Sequence, residues 1–155
     1  MSKKPPPPDS RFWKLFIGGT KVNTFLFRLT KGRIGGRMVG GQLGKAKILL
    51  LHHVGRKSGQ ERVSPLIYLD DGDRLAIVAS KGGVDKHPAW YHNLTANPET
   101  LVELPREKRK VRAHTASEEE RAELWPRLVE IYPPYEEYQT FTERKIPVVV
   151  LDRAE

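Results

Sequence analysis

The sequence predicts an α+β fold, a small β-barrel of about six strands with helices around it. Six short apolar segments follow one another between residues 46 and 152. Helical patterns are inserted between the third and fourth of these segments and between the fifth and sixth. The chain has 155 residues, of which 38% are apolar and 30% charged. That composition is typical of one folded domain and argues against wholesale disorder.

The six segments predict strands, and the residues between them predict turns and helices. We expect strands at residues 46–54, 62–70, 74–80, about 100–105, about 108–116 and 146–152. The first is a continuous apolar run, AKILLLHHV, and DDGD between the second and third is typical of a tight turn. Ser117 and Glu120 match a capping box that opens a helix to about Ile131. Pro133-Pro134 then ends that helix and begins another.

Residues 1–45 precede the barrel and divide into three parts. Residues 1–10, MSKKPPPPDS, predict a disordered tail, because four consecutive prolines exclude a helix, and they lack the apolar region of a signal peptide. Residues 11–30 predict an amphipathic helical arm, which either docks on the protein's own core or rests on a membrane surface. Residues 31–45 contain six glycines and predict a linker. Residues 46–155 are predicted to form the barrel domain.

The composition limits the classes of function. Residues 1–65 hold 14 Lys and Arg against two Asp and Glu, whereas residues 66–155 hold 13 against 17. This basic half indicates either an anionic partner or a surface that aids solubility. The absence of cysteine excludes a disulfide, a thiol nucleophile and a cysteine metal site. The five histidines lack metal-ligand spacing, so we predict no metal site and interpret them as ordinary polar residues.

Two loops have the composition of anion-binding sites. GRKSGQER, residues 55–62, is either a plain hairpin loop or a grip for phosphate and carboxylate oxygens through its basic side chains. SKGG, residues 80–83, follows a strand and precedes a helix that begins after His87-Pro88. A Lys-Gly-Gly turn beside a helix N-terminus is a natural anion site. Trp90, in the first turn of that helix, either packs in the core or forms a wall for a planar ring.

Three stretches together resemble a known family. GRKSGQERVSPL, ASKGGVDKHPAWYHNLTANP and IYPPYEEYQTFTERKIPVVVL are similar to the deazaflavin-dependent nitroreductases and F420H2-dependent quinone reductases of actinobacteria. The resemblance runs from about residue 12 to 151 and implies the split β-barrel fold related to FMN-binding oxidases, with coenzyme F420 as cofactor. It implies that the phosphate and glutamyl carboxylates of F420 are held by Arg56, Lys57, Ser58 and Arg62. It implies that the deazaflavin and its linker are lined by Val63, Ser64, Pro65, Ile67, Val78, Ala79, Ser80 and Lys81. The pocket would be completed by Ala89, Trp90, Tyr91 and Asn93.

A run of tyrosines bears on the second substrate. Tyr132, Tyr135 and Tyr138 recur every three residues and are either packing residues or, as the resemblance implies, a substrate-binding cover over the deazaflavin. In that reading Tyr135 is the catalytic proton donor, and Ser80 is the next candidate.

The sequence therefore predicts an enzyme that transfers a hydride from reduced F420 to a menaquinone-like quinone, with nitroaromatic reduction as a side activity. Reduction of another conjugated small molecule is the alternative. A nucleic-acid-binding barrel is the non-enzymatic alternative, but strands with stacking aromatics are lacking, and we expect no nucleic-acid partner. We expect a cytoplasmic protein with peripheral contact to an anionic membrane at its inner face.

Overall fold

The computed structural model describes residues 27–29 and 46–154. The strands are β1 Lys47–Val54, β2 Glu61–Asp71, β3 Arg74–Val78, β4 Glu99–Leu104, β5 Glu107–Thr115 and β6 Val148–Arg153. The helices are α1 Ala89–Ala96, α2 Glu118–Ile131 and α3 Pro134–Thr140, with a 3-10 turn at Lys81–Gly83. The predicted tail, the linker and all of the arm except residues 27–29 lie outside the described residues.

The strands close into one antiparallel barrel in the order β1-β2-β3-β6-β5-β4, and β4 pairs back onto β1. Hairpins join β1 to β2, β2 to β3 and β4 to β5, so these pairs follow from sequence proximity. The pairs of β3 with β6 and of β1 with β4 join distant parts of the chain. The predicted barrel of six strands is confirmed.

The barrel interior is the larger of two apolar cores. Side chains alternate along a strand, so Leu49 and Leu51 of β1 point inward while Ile48 and Leu50 point outward. All four are buried, and this explains why β1 reads as a continuous apolar run. Trp90 and Leu94 of α1 also belong to the interior core.

A second core lies between the outer face of the barrel and the helices α2 and α3. Leu69, Ala76 and Val78 supply the barrel side, and Leu124 and Leu128 supply α2. The predicted capping box is present at the start of α2, where the Ser117 hydroxyl accepts from the Glu120 amide and the Glu120 carboxylate accepts from the Ser117 amide. It satisfies two amide groups that the helix geometry leaves unpaired.

The described part of the arm contacts β4 on the outer face of the barrel. Residues 27–29 are helical, and Phe27 is 2% exposed. Arg28 Nη2 donates to Glu103 Oε1 at 2.8 Å, and His52 Nε2 lies 2.7 Å from the same oxygen. Burial alone would raise the pKa of Glu103, but the hydrogen bonds from Arg28 and His52 hold it below its usual value. Arg28 is therefore bound to the barrel by an ion pair, whereas Leu29 is 68% exposed.

Within the described residues, no helix combines the length and the apolar character needed to cross a bilayer.

Candidate functional site

A basic cleft of about 450 Å³ lies where the β1–β2 loop, the residues after β3 and the start of α1 meet. Its lining carries the positive charges of Arg56, Lys81 and Lys86 and one carboxylate, that of Asp85. The complete lining is Arg56, Lys81, Asp85, Lys86, His87, Ala89, His92 and Asn93. The two anion-binding loops predicted from the sequence thus border one cleft, and the first turn of α1 presents amide groups that the helix cannot pair.

The turn after β3 has a backbone suited to binding anions. β3 ends at Val78, two residues earlier than predicted, because Ser80 is in the right-handed helical region and the chain then turns. Lys81, Gly82 and Gly83 follow with φ angles of 46°, 65° and 82°. A right-handed residue followed by a left-handed one aims successive amide groups at one point, as in phosphate-binding nests. The left-handed conformation costs Lys81 about 1–2 kcal/mol, so the surrounding structure must hold it.

The β1–β2 loop is fixed to α1 by an asparagine. The amide group of Arg56 donates to Asn93 Oδ1 at 3.1 Å, and Asn93 is 5% exposed. Within the loop, Ser58 Oγ accepts from the Gln60 amide at 3.2 Å, so this hydroxyl serves the loop's own fold. Lys57 and Arg62 are exposed, and neither belongs to the lining of the cleft.

A buried histidine connects this loop to β2. Asn93 Nδ2 lies 2.9 Å from His53 Nδ1, and His53 Nε2 lies 2.9 Å from Ser64 Oγ. Burial, with the positive charges of Arg62 and His52, lowers the pKa of His53 to about 4. The ring is therefore neutral at pH 7, accepts from Asn93 and donates to Ser64. Ser64 and Asn93, both predicted site residues, are held by one network.

An apolar stripe extends along the outer face of β2. Val63, Pro65 and Ile67 alternate with inward-facing residues and are half-buried. They belong to neither apolar core. In the strand order β2 lies between β1 and β3. The stripe therefore lies between the β1–β4 face, where Arg28 binds Glu103, and the outer face of β3, which α2 and α3 cover. A planar ring has an apolar surface available here.

The three predicted tyrosines form one cluster at α3. The Tyr132 and Tyr138 hydroxyls lie 3.0 Å apart, and the Tyr135 ring centroid is 4.7 Å from that of Tyr132. Tyr135 is 4% exposed and packs in the second core, and Tyr132 and Tyr138 are half-buried beside it. Burial, with its two tyrosine neighbours, raises the pKa of Tyr135, so its hydroxyl keeps its proton at neutral pH.

The structure separates the predicted site residues into groups. Arg56, Lys81, Ala89 and Asn93 line the cleft. Ala79 and Trp90 are buried in the barrel interior, and Val78 lies under the helices. The Tyr91 hydroxyl lies 3.0 Å from Thr115 Oγ1. The predicted site residues thus include some that line the cleft and others that pack in the two apolar cores.

Several residues of the site were not predicted. Lys86, His87 and His92 line the cleft. Their positions soon after the Lys-Gly-Gly turn could have identified them from the sequence. The interpretation of all five histidines as ordinary polar residues was wrong for His53, which is 5% exposed and central to a network. Its position in an apolar strand could have indicated burial.

The family model for F420H(2)-dependent quinone reductases matches residues 23–153. The chain belongs to this family. An F420H(2)-dependent quinone reductase of Mycobacterium tuberculosis is 40% identical over 136 residues, which are 86% of this chain and 89% of that protein. A second Mycobacterium tuberculosis protein assigned to the same function is 47% identical over 103 residues, 66% of this chain and 87% of that protein.

Solved structures are consistent with this family and with the split-barrel fold. The structure of an F420-H2 dependent reductase (FDR-A) has a TM-score of 0.63 and 43% identity, covering 68% of this chain and 93% of that chain. A Listeria innocua protein assigned as a pyridoxamine 5'-phosphate oxidase has a TM-score of 0.51 at 13% identity, covering 74% of this chain and 89% of that chain, and shows the fold alone. The predicted family, split-barrel fold, enzyme class, cofactor and hydride transfer from reduced F420 to a quinone are confirmed.

We predict that the buried His53 makes stability depend on pH. A histidine in the unfolded chain has a pKa near 6.5, whereas His53 in the fold has one of about 4. As the pH falls from 6.5 to 4, the unfolded state therefore takes up a proton that the folded state excludes. The free energy of unfolding should fall by roughly 2–3 kcal/mol through this group, which contributes fully only above pH 6.5.

The test compares urea unfolding at pH 7 and pH 4.5 for the wild type, His53→Gln and the control His114→Gln, whose side chain is 43% exposed. His53→Gln should lose much of the pH dependence, and the control should keep it. An equal fall in stability for the wild type and His53→Gln would contradict the assignment.

Proposed function

We propose that this quinone reductase holds reduced F420 across the cleft and the apolar stripe while it transfers the hydride to the quinone. The observation that carries the proposal is the position of a basic cleft, bordered by a nest-like turn and a helix N-terminus, at the same end of the barrel as the half-buried apolar face of β2. These features suit a molecule with an anionic tail and a planar ring.

The donor groups of the cleft fit the anionic part of F420. Arg56 and Lys81 would bind phosphate and glutamyl carboxylate oxygens by charge-assisted hydrogen bonds. The exposed side chains of Lys57 and Arg62 would add positive charge for the same anionic groups. Val63, Pro65 and Ile67 would contact the deazaflavin. The bound cofactor supplies the hydride, and the protein supplies orientation and electrostatics.

The tyrosine cluster would act on the acceptor. Reduction of a quinone carbonyl leaves a negative oxygen, which is costly in a pocket without water. The Tyr135 hydroxyl keeps its proton at neutral pH and can donate it to that oxygen. Tyr132 and Tyr138 would contact the acceptor from the half-buried side of the cluster. Nitroaromatics and other conjugated small molecules fit the same description and are included as further acceptors.

We predict that F420 binds at least tenfold more tightly than FMN, a difference of about 1.4 kcal/mol, because its longer anionic tail reaches the basic cleft. Arg56→Gln, Lys57→Gln and Lys81→Gln should each weaken F420 binding, most strongly at low salt. Lys110→Gln, an exposed lysine on β5 outside the cleft, is the charge-matched control and should bind normally. Calorimetric titration measures all five proteins. Equal affinity for F420 and FMN, or normal binding by all three cleft variants, would contradict the proposed site.

We predict that Tyr135→Phe lowers the rate of quinone reduction by roughly 100-fold if proton donation limits the rate. The substitution retains the ring that packs in the second core, so F420 affinity should change little. Stopped-flow oxidation of the reduced cofactor gives the rate, and Tyr138→Phe is the matched control, with a smaller effect. Wild-type reduction of both quinones and nitroaromatics by Tyr135→Phe would exclude Tyr135 as the donor, and Ser80 would be tested next.

We propose that the arm gives the protein peripheral contact with an anionic membrane at its inner face. The arm is basic and amphipathic, and Leu29 is exposed where the arm reaches the barrel. Deleting residues 1–26 keeps Phe27 and Arg28, so it should leave F420 binding intact and reduce co-sedimentation with anionic vesicles. Neutral vesicles are the control. Unchanged sedimentation of the shortened protein would remove this part of the proposal.

A further inference from the structure

The guanidinium group of Arg144 forms hydrogen bonds with residues on both sides of the turn after β3. It is half-buried in the segment between α3 and β6. Four contacts of its guanidinium are to Val84 O (2.8 Å), Ala79 O (3.2 Å), Ser80 O (2.8 Å) and His87 Nδ1 (3.0 Å). Four of its five N–H groups are thus directed at the protein, on both sides of Lys81.

The turn needs such a restraint. Lys81 is in the left-handed region, and Gly82 and Gly83 are residues that lose much conformational freedom when ordered. Within the turn, the Gly83 amide donates to Ser80 O at 2.9 Å, and the Val84 amide is 3.4 Å from Lys81 O. Neither bond uses the carbonyls of Ala79 and Val84, which accept from Arg144, and Ser80 O accepts from both the Gly83 amide and Arg144.

We propose that Arg144 is a positioning residue that holds the turn at residues 80–83 in the conformation that presents Lys81 and its amide groups to the cofactor. The inference rests on the proposed function, because the turn matters to the reaction when the anionic part of F420 binds in the cleft. Arg144 itself acts through the turn. Its planar fork of donors matches several acceptors at once, which a single lysine ammonium cannot do.

His87 reports on this arrangement. Because Arg144 donates to Nδ1, the neutral ring carries its proton on Nε2. Burial, with the positive charge of Arg144 and with His92, lowers the pKa of His87. Asp85 and Lys86 are the other charged groups of the cleft lining near it, together with Arg56 and Lys81. Loss of the guanidinium should free Nδ1 and change the ¹⁵N shifts of this ring.

The experiment compares Arg144→Lys with the matched control Arg121→Lys. Arg121 is also half-buried, and its side chain donates to Ile146 O and to Gln139 Oε1 and makes no hydrogen bond to residues 80–83. For Arg144→Lys we expect at least tenfold weaker F420 binding by calorimetry, with kcat near wild type at saturating cofactor. Exchange of the Gly83 amide should accelerate while the Ala76 amide in β3 stays protected, and the His87 ¹⁵N shifts should change. Arg121→Lys should leave all of these unchanged.

Two results would overturn the inference. In the first, Arg144→Lys binds F420 within twofold of wild type and its Gly83 amide stays protected from hydrogen exchange. In the second, Arg121→Lys loses as much F420 affinity as Arg144→Lys. Hydrogen exchange and the His87 shifts are measured without cofactor, so they separate the two proposals. If the wild type did not bind F420 but both signals changed in Arg144→Lys, the proposed function would fail and the role of Arg144 in the turn would stand.

Discussion

Closure of the barrel is the constraint on which the rest of the structure depends. The pairs β1–β4 and β3–β6 complete the ring, and each side chain is then committed to the interior or to the outer face. β1 must be apolar on both faces, and the outer faces of β3 and β6 require α2 and α3 as a cover. The outer face of β2 receives less cover at Val63, Pro65 and Ile67. The surface suited to a planar ring is therefore a consequence of how the barrel is enclosed.

Local patterns made most elements predictable. The apolar run of β1, the capping box of α2 and the proline pair before α3 act within a few residues, and the family resemblance came from three continuous stretches. The contacts that complete the site are not local. Arg144 bonds to residues 57 to 65 positions away, and His53 bonds to residues 11 and 40 positions away. No periodicity or motif encodes such pairs, because they form only when the barrel closes.

The aromatic residues show a different limit of the sequence. Trp90 and the tyrosines of α3 have chemistry that suits both packing and ligand contact, so the pattern left both roles open. Burial decides between them, and burial is set by distant neighbours. Trp90 is enclosed by the barrel, whereas Tyr132 and Tyr138 remain half-buried around the enclosed Tyr135. If Tyr135 is the proton donor, as proposed, the acceptor must enter this cluster to receive the proton.

Gly83 brings the two halves of the site into direct contact. A Cβ atom at this position would lie 2.6 Å from the Tyr138 carbonyl oxygen and 3.0 Å from the Phe141 ring, so the turn and α3 pack without a side chain as a spacer. No side chain at Gly83 separates the turn from α3, so a shift of α3 would be transmitted directly to the turn. Under the proposed function, adjusting the helix to admit a bulkier acceptor would displace the turn assigned to the cofactor. Acceptor range and cofactor affinity should consequently change together as members of this family diverge.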